Sequence, residues 1–173
     1  MRDRVRVLRV TLPANGSLGR CLASTSLHGR HAVVVERVGR VTRSLTIAQK
    51  GRREIFVCEK TGVPFEGREW CGFSAGRLRD GGVSDPRLDV LCVDRRRRHV
   101  AAAFVNPVRG AQWIGVDQGS YTELYPTAAG LPVRISSARG VDYARARATF
   151  RITQLEADGR VLTRGRLVAQ VAG

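Results

Sequence analysis

The sequence predicts an all-β fold, an antiparallel sandwich or partly open barrel with one long irregular loop. Three features carry this expectation. Short apolar runs alternate with polar residues at a period of two. Gly, Pro and Asp punctuate those runs. Helical periodicity is scarce, and several short strands at this spacing point to a sandwich or barrel.

The elements follow in order. "VRVLRV" (Val5 to Val10), "HAVVVERV" (His31 to Val38) and "VTRSLTIA" (Val41 to Ala48) read as strands, with Gly39 and Arg40 at a turn. "EIFVC" (Glu54 to Cys58), "LDVLCV" (Leu88 to Val93), "HVAAAFV" (His99 to Val105) and "QWIGV" (Gln112 to Val116) continue the pattern. The last segment, "ATFRITQLEADGRVLTRGRLVAQV", holds two alternating runs about Asp158 and Gly159, a dipeptide suited to the positive φ angles of a hairpin turn. Residues 59–87, rich in Gly and carrying Pro64 and Pro86, read as the long irregular loop, pinned to the core by Trp70, Cys71 and Phe73.

With 173 residues, one main domain is the expectation. Residues 1–50 read as basic N-terminal strands, either an extension of the same fold or separate from it, and residues 51–173 as the main β domain. The chain is 43% apolar and 26% charged, a globular balance. Its longest apolar run, Val100 to Val105, falls far short of the ~18 residues that span a bilayer. "MRDRVRVLRVTLP" interleaves arginine with valine and builds no apolar signal-peptide core.

The formal net charge is +15, and its distribution matters more than its size. Residues 1–57 hold 12 basic and 3 acidic residues, residues 58–130 hold 10 and 9, and residues 131–173 hold 8 and 3. Arginine outnumbers lysine 28 to 2, which a GC-rich coding sequence produces without selection for phosphate binding. The first 55 residues contain no Phe, Trp or Tyr, so cations and stacking platforms look segregated along the chain. Neither a recognition helix nor a zinc finger nor an aromatic ribonucleoprotein motif is visible.

Arg95, Arg96, Arg97 and Arg98 lie between two strand candidates, where a hairpin connection belongs. They read as a solvated turn or as an anion site, since guanidinium forks suit phosphate, sulfate and carboxylate. Cysteines 21, 58, 71 and 92 form no CxxC, which argues against a zinc ribbon or redox motif. A Cys58–Cys71 bridge is the first expectation, with four reduced, buried cysteines as its alternative.

Catalytic and metal signals are thin. His28 and His31 have a two-ligand spacing, but the local sequence disfavours a helix and no third ligand stands out. No G-x-S-x-G, Walker A or dinucleotide fingerprint occurs, and no cofactor is implied. Tyr121 and Tyr125 stand four residues apart, so on one strand they would share a face, as an interaction surface or as core packing.

"CGF", "SDPRLDVLC", "GLPVRISSARGVD" and the closing "ATFRITQLEADGRVLTRGRLVAQVAG" resemble the β-rich, functionally uncharacterised extracytoplasmic domains of high-GC actinobacteria. The resemblance spans about residues 54–173. It implies a domain outside the membrane, often after an N-terminal anchor, with no catalytic residues to carry over; the first 50 residues depart from it.

Two functional expectations result. One is a non-enzymatic β-rich domain that binds a protein or polyanionic ligand, with an extracytoplasmic location implied by the resemblance. The other is a basic nucleic-acid-associated protein that binds without sequence specificity. Arginines converging on one face favour the second; charge scattered around the body favours the first. An enzyme would require a pocket of convergent polar groups that the linear sequence does not reveal.

Overall fold

Runs such as Ala32 to Val35 place branched side chains on both faces of a pleated strand, which suits a strand buried on each side. In a computed structural model of the chain, the described residues are 4–11, 15–23, 31–38, 42–49, 51, 53–61, 72–79, 82–83, 89–93 and 99–170. The fold is all-β, built from antiparallel sheets, one of them curled as a half-barrel. The chain divides into two compact units, Met1–Asp80 and Gly81–Gly173.

The first unit is an antiparallel meander of β1 (Arg4–Thr11), β2 (His31–Val38), β3 (Thr42–Gln49), β4 (Glu54–Thr61) and β5 (Gly72–Arg79), adjacent in that order; the two-residue β6 is Gly82–Val83. Register sets which side chains share a face. Leu8 pairs with Val34, Val34 with Ile47 and Leu45 with Cys58. Together with Ala32 these make an apolar face, against which the helix α1 (Gly16–Ala23) packs Cys21. Asn15 stands at the helix N-cap, and its carbonyl accepts the Gly19 N–H at 3.3 Å. The opposite face of β2–β4 is also buried, through Val35, Thr46, Ile55 and Val57.

That second face holds Arg37, 5% exposed. Its Nη1 donates to Thr46 Oγ1 at 3.1 Å, and burial pushes its pKa down to about 10, so it stays charged near neutrality. On the Cys58 side, the buried Glu36 pairs with Arg43 and lies 4.0 Å from Arg6 Nη1.

The second unit is a two-layer sandwich. Its larger sheet runs β10 (Thr122–Pro126), β9 (Trp113–Asp117), β13 (Arg147–Leu155) and β12 (Val141–Asp142), with β14 (Val161–Gln170) also paired to β13. Because β14 follows β13 over nearly its whole length, β9 and β12 share the other edge of β13, β12 at residues 147–148 and β9 at 152–155. The smaller sheet runs β11 (Val133–Ser137), β8 (His99–Val105) and β7 (Asp89–Val93). Between the layers sit Ala101, Ala103 and Val105 of β8, Ile114 and Val116 of β9, Val133 and Ile135 of β11, and Ala148 and Phe150 of β13. Each fully buried Ile, Val or Phe contributes roughly 1.5–3 kcal/mol, and Ala101 and Ala103 give β8 a small-residue stretch facing the other layer.

Polar clips close this sandwich. Gln154, 5% exposed, accepts the Val108 N–H at 2.7 Å and donates to the Asn106 carbonyl at 3.1 Å, tying β13 to the chain leaving β8. At the opposite corner Tyr125 Oη accepts the Ser136 N–H at 3.1 Å, and Gln118 Nε2 donates to the Ser136 carbonyl at 2.8 Å. Both contacts satisfy backbone groups on the edge strand β11, which would otherwise invite pairing with another chain.

Two sequence expectations need correction. The stretch 59–87 is not one irregular loop, because β4 runs to Thr61 and the segment also contains β5 and β6. Gly72, Gly76 and two arginines obscure the apolar alternation by which β5 would be recognised. Cys58 is bonded to Cys21 across a Cα–Cα distance of 6.0 Å, not to Cys71, which lies outside the described residues.

Candidate polyanion-binding face

The larger sheet of the second unit turns Ile114, Val116, Ala148 and Phe150 inward. Alternation therefore turns Trp113, Gly115 and Asp117 of β9, and Arg147, Thr149, Arg151, Thr153 and Leu155 of β13, to the outside. Pairing extends this outer face. Arg151 lies opposite Arg166 and Thr153 opposite Arg164, while Thr122, Leu124 and Pro126 lie opposite Asp117, Gly115 and Trp113.

Three rows of side chains cross the sheet. One holds Thr122, Asp117, Arg151 and Arg166, the next Leu124, Gly115, Thr153 and Arg164, and the third Pro126, Trp113 and Leu155. Arg164 and Arg166, two residues apart on β14, stand ~6.8 Å from each other along the strand. Arg147, Arg151, Arg164 and Arg166 are exposed, Trp113 is half-buried and Leu124 is exposed. A Cβ at Gly115 would come 3.0 Å from Thr122 Cγ2 and 3.4 Å from Leu124 Cδ2. Glycine there leaves room for both side chains to lie over β9.

Charge on this face is one-sided. Asp117 is engaged by Arg139 at 3.3 Å and by Arg151 at 4.0 Å, and Asp142, opposite Arg147, is engaged by Arg145 at 3.4 Å. Among the described residues, no carboxylate pairs with Arg147, Arg164 or Arg166. Their guanidinium groups face water with donors unspent, the condition in which arginine recruits phosphate, sulfate or carboxylate.

The residues singled out from sequence fare differently. Arg95, Arg96, Arg97 and Arg98 lie outside the described residues. His99, which follows them, is exposed and stacks on Tyr143 with ring centroids 4.3 Å apart. Tyr121 and Tyr125 do not share an exposed face. Tyr121 precedes β10 and is 61% exposed, whereas Tyr125 lies within β10 and donates to Glu123 Oε2 at 2.9 Å while holding the β11 edge. The polar groups around it are turned on one another: Gln118 Nε2 also donates to Glu123 Oε2 at 2.9 Å, and Ser137 Oγ donates to Gln118 Oε1 at 2.9 Å. This arrangement fixes the sandwich corner rather than presenting groups to a substrate.

Neither family models, curated proteins nor solved structures give a match to this chain. Among the described residues no group of three His, Cys, Asp or Glu side chains is placed to hold a metal, and no helix is long and apolar enough to cross a membrane. The arginine face is not among the residues singled out from sequence, although its signal is present: "RATFRIT" puts arginines four apart and "TRGRLV" two apart, spacings that a strand turns to one side.

Proposed function

We propose that this chain is a non-enzymatic β-rich binding domain whose working surface is the outer face of β10, β9, β13 and β14, and whose ligand is a polyanion. The observation that carries the reading is the exposed set Arg147, Arg151, Arg164 and Arg166 on one sheet face, where Asp117 is shared between Arg139 and Arg151, Asp142 is engaged by Arg145, and Arg147, Arg164 and Arg166 pair with no carboxylate among the described residues. Sequence-independent binding to such a ligand draws its affinity from counterion release and weakens steeply with salt. An extracytoplasmic setting is part of the same proposal, supported by the Cys21–Cys58 pairing, since disulfides persist in oxidising compartments.

Heparin titration across a salt series tests the reading. The wild-type protein is expected to bind with log K falling linearly in log salt. The double variant Arg164→Ser/Arg166→Ser is expected to bind more weakly, with a slope flatter by about 2, one for each lost contact. Equal affinity and slope in the two proteins would remove this face as the binding surface.

A further inference from the structure

Folding brings together what the linear order keeps apart. Trp113 comes from the nearly neutral middle of the chain and Arg151, Arg164 and Arg166 from its basic end, yet they share one face. Trp113 pairs with Leu155 two positions along β13 from Thr153, which pairs with Arg164; the ring is thus one row from Arg164 and two rows from Arg151 and Arg166.

We infer that the polyanion this face takes is a single strand of nucleic acid, its backbone running along the arginines of β13 and β14 and a base stacked on Trp113. The inference rests on the polyanion-binding reading above. A uniform sulfated or phosphate polymer needs only the guanidinium rows. A duplex hides its bases in the stack and offers the same phosphate contacts, leaving Trp113, Leu124 and Leu155 with nothing to cover them. A single strand offers both phosphates and exposed base faces, and aromatic rings beside a cationic track are the sequence-tolerant way to hold it. A base on this face would lie across the half-buried Trp113 and Leu155, which are paired in one row. The guanidinium plane of Arg164, one row away, offers a further stacking surface.

The experiment compares a twelve-residue oligothymidine, a duplex of equal length and heparin, using the full chain, Trp113→Ala, Trp113→Phe and Arg164→Ser/Arg166→Ser. Oligothymidine is expected to bind more tightly than the duplex and to quench tryptophan fluorescence, with the quenching reduced in Trp113→Phe, where Trp70 alone remains. Trp113→Ala is expected to weaken oligothymidine binding by roughly 5- to 160-fold, the worth of one stacked base, and heparin binding by less than about 2-fold. Trp113→Phe keeps a ring and is expected to stay within about 3-fold of wild type, which separates loss of the platform from loss of the fold. Duplex binding as tight as the single strand, or a Trp113→Ala effect equal for oligothymidine and heparin, would overturn the inference while leaving the polyanion reading standing. Heparin binding indifferent to the arginine variant would overturn that reading itself.

Discussion

Cys58 shows how much a single residue's partner depends on the fold. Two cysteines a hairpin apart make an attractive pair in sequence, but bonding requires Cα atoms within ~4.4–6.8 Å and converging Cβ vectors. Cys58 points to the face of β4 on which α1 packs, and Cys21 meets it there. The helix carrying Cys21 has only eight residues, about two turns, and contains two glycines, so its periodicity is faint in sequence. Cys21→Ser is expected to lower the stability of the oxidised protein by roughly 2–5 kcal/mol, with the loss vanishing when both proteins are reduced. Cys71→Ser is expected to leave the crosslinked Cys21–Cys58 peptide intact in a mass map of the digested protein. A Cys58 peptide linked to Cys71 would contradict this pairing.

Among the elements, legibility follows burial pattern. β2 and β8 are dense in branched or small apolar residues, and their boundaries coincide with the runs read from sequence, His31 to Val38 and His99 to Val105. The hairpin about Asp158 and Gly159 was also readable: Arg160 N–H is held by Asp158 Oδ1 at 2.9 Å, Gly159 takes a φ of +91°, and Arg160 Nε donates to Glu156 at 2.8 Å. β5, β10 and β11 escaped because glycine, proline or arginine interrupts their alternation, and their place is fixed by neighbouring strands rather than local pattern. Two glycines separate local from tertiary constraint. Gly140, with φ +75°, accepts the Thr149 N–H on its carbonyl at 3.0 Å, and a Cβ there would run into the Thr149 carbonyl; Gly159 has open space where a Cβ would stand. Gly159→Ala should therefore cost about 1–2 kcal/mol for its backbone conformation alone, and Gly140→Ala clearly more, because β12 must move off β13. Urea denaturation of the two variants checks the order, and equal losses would mean that β12 yields freely.

At the scale of the whole molecule, folding changes what the charge means. Along the sequence the arginines of the C-terminal end look separated from the aromatic residues, and this argued against a stacking surface. In three dimensions the alternation of β13 and β14 sends apolar side chains into the sandwich and gathers arginine outside, next to Trp113. The four arginines at 95–98 draw the eye in sequence, yet the face described here needs none of them. A chain with a net charge of +15 and an isoelectric point near 11.4 also repels itself when compact. Added salt screens that repulsion over about 8–10 Å near physiological strength. It also screens the ion pairs of Glu36 and Asp117, but the net excess of like charge outweighs them. The melting temperature of the free protein is therefore expected to rise as sodium chloride is raised from about 20 to 300 mM, while stabilisation by added heparin is expected to shrink over the same range, because counterion release weakens binding. Differential scanning calorimetry with and without heparin reads both trends. A melting temperature that falls with salt in the free protein would mean that the local pairs, such as Glu36 with Arg43 and Asp117 with Arg139, dominate the electrostatics of the fold over the surplus of arginine.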